Sequence, residues 1–172
     1  RSTDADTDEF DDPVVLHEYG HFIEDSYSKS DSPAGDHDGS PTNPLLAWGE
    51  GYGTYAGCAI ADSSLYIDTM ATATDVTDIN ADGLADYPGQ LDHPKGMRQV
   101  VSEYLVAEIL WKLSRGYKRQ GTHIEGKTDA PIFDVLRAYF LSPLMADRGV
   151  KGIDLVDFLD GWFWRGHGDS EF

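Results

Sequence analysis

The sequence predicts a predominantly helical α+β fold with little β-sheet. Apolar residues recur at helical spacing in five segments, whereas the weak alternation typical of a short strand is confined to 63–70. The helical segments are 13–25, 42–62, 95–116, 131–141 and 155–164. With 172 residues, of which 40% are hydrophobic, the chain is long enough to bury one core. Because no repeat or long linker interrupts it, we expect one domain over 1–172, with 1–12 as a flexible lead-in.

The composition is strongly acidic. The formal net charge is -18, and 23 of the 31 acidic residues are Asp. This charge would repel nucleic acid and anionic membrane surfaces, so we expect neither as a partner, whereas cations are favoured. No apolar run approaches the roughly 18 residues that a membrane-spanning helix requires. The Asp-rich composition fits a salty or calcium-containing exterior, which favours a secreted protein.

The start of the chain and its single cysteine give two further indications. Arg1 opens the sequence without an initiator Met or a signal peptide, so we expect a piece of a longer chain that carries other domains. Cys58 stands alone, which excludes an internal disulfide framework. Its apolar Gly-Cys-Ala-Ile setting is typical of a small buried side chain.

Residues 17–21 read His-Glu-Tyr-Gly-His, the HExxH pattern of zinc hydrolases. On a helix, two histidines four positions apart stack on one face, where both imidazoles reach one cation at about 2.0 to 2.1 Å. Glu18 projects about 100° around the helix from His17, too far to complete that face but suitably placed for a general base. We therefore predict His17 and His21 as ligands of Zn2+ and Glu18 as the catalytic base.

The flanks of this motif predict that its helix is buried. Pro13 suits a first helical turn that follows Asp11 or Asp12 as the cap. Apolar residues recur along the helix, and we expect them to face the core. These residues are Val15, Tyr19, Phe22 and Ile23.

The segment 42–62 predicts a second helix, with Thr42 or Asn43 as its cap and Pro44 in its first turn. Glu50 lies in this helix among apolar residues and glycines. Each glycine would cost an exposed helix about 1 kcal/mol, so we expect a close helix crossing to offset them. A carboxylate in such surroundings requires a cation, and the predicted zinc would supply it. The result is a His2Glu site with the fourth position left to water.

Polar segments separate the helices. Residues 26–43 are rich in Ser, Asp, Gly and Pro and predict a surface loop, in which His37 stands between two Asp residues. We interpret His37 as solvated, although the loop must pass the zinc if the second helix returns to it. The segment 117–128 is interpreted as a solvated connector. Asp129 and Asp154 are the predicted caps of the last two helices.

Residues 78–86 match the D-x-N-x-D-G start of a calcium-binding loop. Oxygen ligands at alternate positions and a turn-forming glycine wrap a hard cation such as Ca2+. The twelfth position is Gly89, where an EF-hand requires Glu, so the pattern is closer to the short loops of extracellular repeats. A solvated Asp-Gly turn is the alternative. The candidate calcium ligands are Asp78, Asn80, Asp82, Leu84 and Asp86.

The third helical segment is the longest apolar stretch and predicts the central core helix. Glu103, Tyr104 and Glu108 are the polar residues that it would bury. Any of them that faces the zinc could orient a ligand or steady an oxyanion. A core aromatic with a satisfied hydroxyl is an equally good interpretation of Tyr104.

The HEYGH motif at 17–21 and the WGEGYGTY motif at 48–55 together resemble those of the gluzincin group of zinc metallopeptidases. In that group HExxH supplies two zinc ligands and a Glu on the next helix supplies the third. The longer pattern HEYGHFIEDSYSKSDSP, LLAWGEGYGTYAG and EILWKL is similar to that of uncharacterised secreted bacterial proteins. The resemblance implies a zincin-like fold, a peptide or protein substrate, and a site formed by His17, His21, Glu50 and Glu18.

The sequence also departs from this family. His21 and Glu50 are separated by 28 residues, more than is usual in aminopeptidase or thermolysin-like members. Thr54 stands where thermolysin-like members have Asp. The outer partner of a ligand histidine, meaning the residue that hydrogen-bonds its ring nitrogen not bound to metal, is therefore unassigned, with Asp25 as a candidate. Zinc peptidases usually place a β-sheet ahead of the HExxH helix, and the lead-in is too short to supply one. The strand predicted at 63–70 could replace its cleft edge.

The group that stabilises the transition state stays unassigned among Tyr104, His93 and His167. Two alternatives to a peptidase also stay open. One is a catalytically idle, zinc-stabilised binding or scaffold domain, and the other is a non-peptide amide hydrolase with the same site chemistry.

Overall fold

The computed structural model describes residues 11–70, 73–81 and 101–168, which form a predominantly helical α+β fold as predicted. These ranges contain five α-helices and two antiparallel two-stranded sheets. In chain order the elements are α1 (Asp12–Tyr27), α2 (Pro44–Ala61), β1 (Leu65–Met70), β2 (Ala73–Asp78), α3 (Glu103–Arg115), β3 (Gly116–Arg119), β4 (Thr122–Glu125), α4 (Ala130–Asp134) and α5 (Leu155–Trp164). None of the described helices combines the length and the apolar character that crossing a membrane would require.

The core is built around α2, most of whose side chains are buried. Asn43 caps this helix as predicted, because its side chain accepts a hydrogen bond from the Leu45 N–H at 2.9 Å. Trp48 packs its ring 5.2 Å from that of Phe158 in α5 and 5.7 Å from that of Phe140. The second helix is therefore fixed by packing along its length, and so is any functional side chain that it carries.

Closely packed glycines line the crossing of α1 and α2, as the sequence predicted. A Cβ added at Gly20 would lie 2.9 Å from the Ala56 Cβ and 3.1 Å from the Gly53 Cα, closer than side-chain carbons normally approach. A Cβ added at Gly57 would lie 3.0 Å from the backbone nitrogen of His17. The two backbones thus approach closely enough for short side chains to meet across the crossing.

The face that α1 buries differs from the prediction. Val15, Tyr19 and Phe22 are each about half exposed, so their predicted burial is wrong. The buried residues of α1 are His17, Gly20 and Glu24. The polar face turns inward because α2 presents glycines together with polar groups that the histidine and the glutamate can bind.

The strand predicted within 63–70 is confirmed as β1, which pairs antiparallel with β2 from Leu65 opposite Asp78. Asp11 stands at the N-cap position of α1, but its side chain makes no capping hydrogen bond. Its carboxylate instead accepts hydrogen bonds from the Thr69 N–H and hydroxyl, both at 2.7 Å. This contact holds the β1–β2 hairpin beside the start of α1.

The central helix α3 begins at Glu103, later than predicted. Ser102 caps it, because its hydroxyl accepts a hydrogen bond from the second N–H of the helix. Val101 forms a β-bridge with Thr42, which is incompatible with helix at that residue. The earlier part of the predicted segment, 95–100, lies outside the described residues.

The predicted connector at 117–128 is wrong in part, because β3 and β4 form an antiparallel hairpin there. Gln120 and Gly121 join the strands with φ angles of 49° and 82°. Two successive left-handed residues match the natural twist of paired strands. Most side chains of the hairpin are exposed, so the apolar alternation that signals a half-buried strand is absent from the sequence.

The last helices confirm one predicted cap and contradict the other. Asp154 forms a capping box with Asp157 at the start of α5. Asp129 makes no capping hydrogen bond to α4. Its carboxylate accepts hydrogen bonds from the Tyr55 hydroxyl and from Arg115, both at 2.6 Å. The helix that follows Asp129 continues from α4 into a π-helical turn rather than as regular α-helix.

Glu24 is a buried acid at the contact between α1 and α2. It is 1% exposed, and its Oε1 accepts a hydrogen bond from the Trp48 Nε1–H at 2.7 Å. Burial raises the pKa of Glu24 to about 7, and the hydrogen bond from Trp48 opposes this shift without cancelling it. The folded protein therefore holds a proton on Glu24 at pH values where the unfolded chain releases it.

Glu24→Gln should remove this pH dependence while keeping an oxygen acceptor for Trp48. Because the folded state binds the proton more tightly, the wild type loses stability as pH rises from about 4.5 to about 7. Relative to the variant, the free energy of unfolding of the wild type should fall by about 3 kcal/mol across this window. Urea denaturation at a series of pH values measures it. Glu125→Gln, at a side chain 90% exposed, is the control and should follow the wild type; parallel curves for wild type and Glu24→Gln would contradict the expectation.

Candidate metal centre

Three predicted side chains converge where α1 crosses α2. His17 and His21 lie one turn apart on α1, and their Nε2 atoms are 2.9 Å apart. Glu50 on α2 places its Oε2 3.1 Å from the His17 Nε2 and 3.2 Å from the His21 Nε2. Among the described residues, these three offer ligand atoms that all lie within 4.8 Å of one another. The structure thus brings together the predicted set.

The spacing of these atoms fits a small cation. A tetrahedral ion with bonds of about 2.0 to 2.1 Å separates its ligand atoms by about 3.3 Å, close to the three distances observed. Two imidazoles and one carboxylate form a donor set found in catalytic zinc sites, and imidazole also suits other first-row metals. Nearby backbone leaves room for the ligands, since a Cβ at Gly53 would lie 3.0 Å from the His17 Nε2. The residues present therefore fit a metal ion.

Thr54 supplies the outer partner that the sequence left unassigned. Its hydroxyl lies 3.1 Å from the His17 Nδ1, and both side chains are buried. When the hydroxyl accepts a hydrogen bond from Nδ1–H, the Nε2 lone pair of His17 points toward His21 and Glu50. Asp25, the candidate suggested by the sequence, is exposed on α1.

Glu50 is held as a carboxylate. Burial alone would raise the pKa of Glu50, but hydrogen bonds with His17 and His21 outweigh it and hold the pKa below its ordinary range. The hydrogen bond with Glu50 in turn raises the pKa of His21, against an opposing effect of burial. The negative carboxylate of Glu50 thus faces two imidazoles. A divalent cation bound between them would take the place of the protons in these hydrogen bonds.

Glu18 lies on the exposed side of α1, next to His17. Its charge raises the pKa of both His21 and His37, behind the larger contributions of their contacts with Glu50 and Glu103 respectively. The carboxylate of Glu18 is therefore close to the three converging atoms without being one of them. The role of Glu18 as a base stays a prediction.

The solvated interpretation of His37 is wrong. Its Nε2 lies 3.3 Å from the Glu50 Oε2, and its Nδ1 lies 3.0 Å from the buried Glu103 Oε2. The close contact with the Glu103 carboxylate raises the pKa of His37 to about 8, although burial opposes the shift. Sequence alone offered one signal, the passage of the loop past the predicted zinc.

A cavity of about 220 Å³ opens beside His17. The hairpin β1–β2 lines it with Tyr66, Asp68 and Asp75, so the predicted strand does border the site. Tyr104 also lines it, and a role of this residue at the metal stays a prediction. Four carboxylates line the cavity, and no lysine or arginine is among the described residues that line it; these acids are Asp38, Asp68, Asp75 and Glu103.

The other sequence candidates lie elsewhere or outside the described residues. The His167 Nε2 is 2.9 Å from the Asp134 Oδ2, and the His167 ring packs 5.2 Å from that of Trp162. These contacts indicate a structural role for His167. His93 lies outside the described residues. Of the three residues that the sequence offered for stabilising the transition state, Tyr104 is thus the one that the described part of the structure brings to the cavity.

The predicted calcium loop is described at its start. The Asn80 N–H donates a hydrogen bond to the Asp78 Oδ1 at 3.0 Å, which closes an Asx turn. Asp82, Leu84 and Asp86 lie outside the described residues. Calcium binding by this loop stays a prediction.

Thr54→Val should weaken metal binding by removing the hydroxyl that orients His17. We expect the zinc dissociation constant to rise by about 10-fold or more, the usual effect of losing such an outer partner. Thr54→Ser, which keeps the hydroxyl, should stay close to the wild type. Competition with a chromophoric chelator measures the constants. Asp25→Asn is the control, and equal affinities for it and for Thr54→Val would exclude the role of Thr54.

Comparison of the chain with protein-family models, with curated proteins and with solved structures found no match.

Proposed function

We propose that this chain is a zinc-dependent metallopeptidase of the gluzincin type, in which His17, His21 and Glu50 hold Zn2+. The observation that carries the proposal is the convergence of their three ligand atoms at 2.9 to 3.2 Å. The HExxH spacing adds Glu18 beside them, and together they reproduce the composition of a hydrolytic zinc site. The secreted location, the bound Ca2+ and the further domains expected from the sequence belong to the same proposal.

Glu18 has the central task in the proposed hydrolysis. When bound, Zn2+ lowers the pKa of a water to about 7 and polarises a carbonyl oxygen. The Glu18 carboxylate accepts a proton from the water that attacks the peptide carbon. It then delivers this proton to the amide nitrogen as the C–N bond breaks, which leaves a carboxylic acid and an amine.

The remaining residues prepare this chemistry. The ionised Glu50 contributes the negative charge that offsets the divalent cation, and Thr54 holds His17 in the tautomer that presents Nε2. The cavity beside His17 is the proposed binding region of the peptide. Its carboxylates, with the net charge of -18, favour substrates that carry positive charge.

Glu18→Gln should abolish peptide hydrolysis and leave metal binding intact. Loss of a general base lowers kcat/KM by about 10² to 10⁴-fold, while the three ligands are unchanged. Metal content by elemental analysis and turnover of a broad peptide library are measured on the same preparation, with Asp25→Asn as the exposed-acid control. A wild type that binds zinc and cleaves no peptide would favour an idle scaffold, and cleavage of non-peptide amides alone would favour an amide hydrolase.

Peptides of matched length should be cleaved faster when lysine or arginine flanks the scissile bond than when glutamate does. Attraction by the acidic cavity should raise kcat/KM for the basic peptide by about 10-fold or more at low ionic strength. The difference should shrink as salt screens the charges. Initial rates at 10 mM and at roughly 300 mM salt measure it. Equal turnover of basic and acidic peptides at low salt would remove the charge preference.

A further inference from the structure

His37 lies between two carboxylates from different helices, the partly buried one of Glu50 and the buried one of Glu103. Its Nδ1 lies 3.0 Å from the Glu103 Oε2 on α3, and its Nε2 lies 3.3 Å from the Glu50 Oε2 on α2. The Glu50 Oε2 is the same oxygen that lies against both His17 and His21. A line of contacts thus runs from the start of α3 through a loop residue to the carboxylate of the candidate metal centre.

The loop that carries His37 is anchored against α3 at Gly39, two residues further along the chain. Gly39 is buried with φ +81°, and a Cβ there would overlap the ring of Tyr104. Its carbonyl accepts a hydrogen bond from the fully buried Ser102 hydroxyl at 2.8 Å. The backbone next to His37 is therefore fixed by the same helix end that carries Glu103.

The contacts of His37 are better suited to orienting a metal ligand than to stabilising the fold. Its side chain is 36% exposed, so solvent screens the His37 end of its ion pair with Glu103, whose own side chain is 5% exposed. A ligating carboxylate, by contrast, needs a hydrogen-bond partner that stops its rotation, and loss of such a partner typically weakens metal binding by about 10 to 100-fold. His37 is outside the group of mutually close ligand atoms, which places it in the outer layer of the centre.

We propose that His37 is a positioning residue of the metal centre, which orients Glu50 through Nε2 and is itself oriented by Glu103 through Nδ1. This assignment rests on the proposed metal binding by Glu50. It adds to the site a residue from the loop between α1 and α2, and it gives the buried Glu103 a functional role. In this proposal Glu103 on α3 fixes the orientation of His37, and His37 fixes the orientation of Glu50 on α2.

The test is the zinc affinity of three variants of the whole chain, measured by competition with a chromophoric chelator. His37→Ala should raise the zinc dissociation constant by about 10 to 100-fold. His37→Gln should lose less affinity, because its side-chain amide places an N–H near the position of the imidazole Nε2–H. His123→Ala, at an exposed histidine of the β3–β4 hairpin, is the matched control and should bind zinc like the wild type.

Two readouts separate positioning from other roles. Urea unfolding of the metal-free proteins should give His37→Ala the stability of His123→Ala, since the role is exerted on the metal. X-ray absorption of the zinc-loaded wild type should count two imidazole ligands. Equal zinc affinity for His37→Ala and His123→Ala would overturn the proposal, and so would three imidazoles at the zinc, because His37 would then be a ligand.

The outcome also separates this proposal from the proposed function. A wild type that binds zinc through two imidazoles, loses affinity in His37→Ala and cleaves no peptide would contradict the peptidase and leave the positioning role intact. A wild type that binds no zinc would overturn both.

Discussion

The close crossing of α1 and α2 is the constraint on which the candidate site depends. Gly20 and Gly57 let the two backbones approach, and Gly53 leaves the space that the imidazole of His17 fills. A helical period then sets His17 and His21 on one face, and the packed helix α2 holds Glu50 opposite them. The glycines that weaken an isolated helix are thus what bring three ligand atoms together.

Two glutamates near this crossing show how partners decide the charge of a buried acid. Glu50 faces two imidazoles, and their hydrogen bonds keep its pKa low despite burial. Glu24 faces the neutral indole of Trp48, so burial prevails and raises its pKa to about 7. Below about pH 7 the same helix pair therefore holds one charged and one neutral carboxyl group, and the charged one is the candidate ligand.

The sequence predicted what local spacing determines. The i, i+4 histidines fix a shared helix face, and an acid in a glycine-rich apolar helix requires a partner, so the convergence of His17, His21 and Glu50 could be predicted. The contacts of His37 could not, because no local pattern distinguishes a loop histidine between two aspartates and only the docking of the loop on α3 brings it to Glu50 and Glu103. The buried face of α1 was assigned wrongly for a related reason, since polar contacts with α2 outweighed the apolar pattern.

Anomalous diffraction at the zinc absorption edge would locate an ion held by His17, His21 and Glu50. Crystals of the zinc-loaded protein should give a peak about 2.0 to 2.1 Å from both Nε2 atoms and from an oxygen of Glu50. A fourth position should face the cavity beside His17. A Glu50 side chain that points away from both histidines, with no peak between them, would contradict the account.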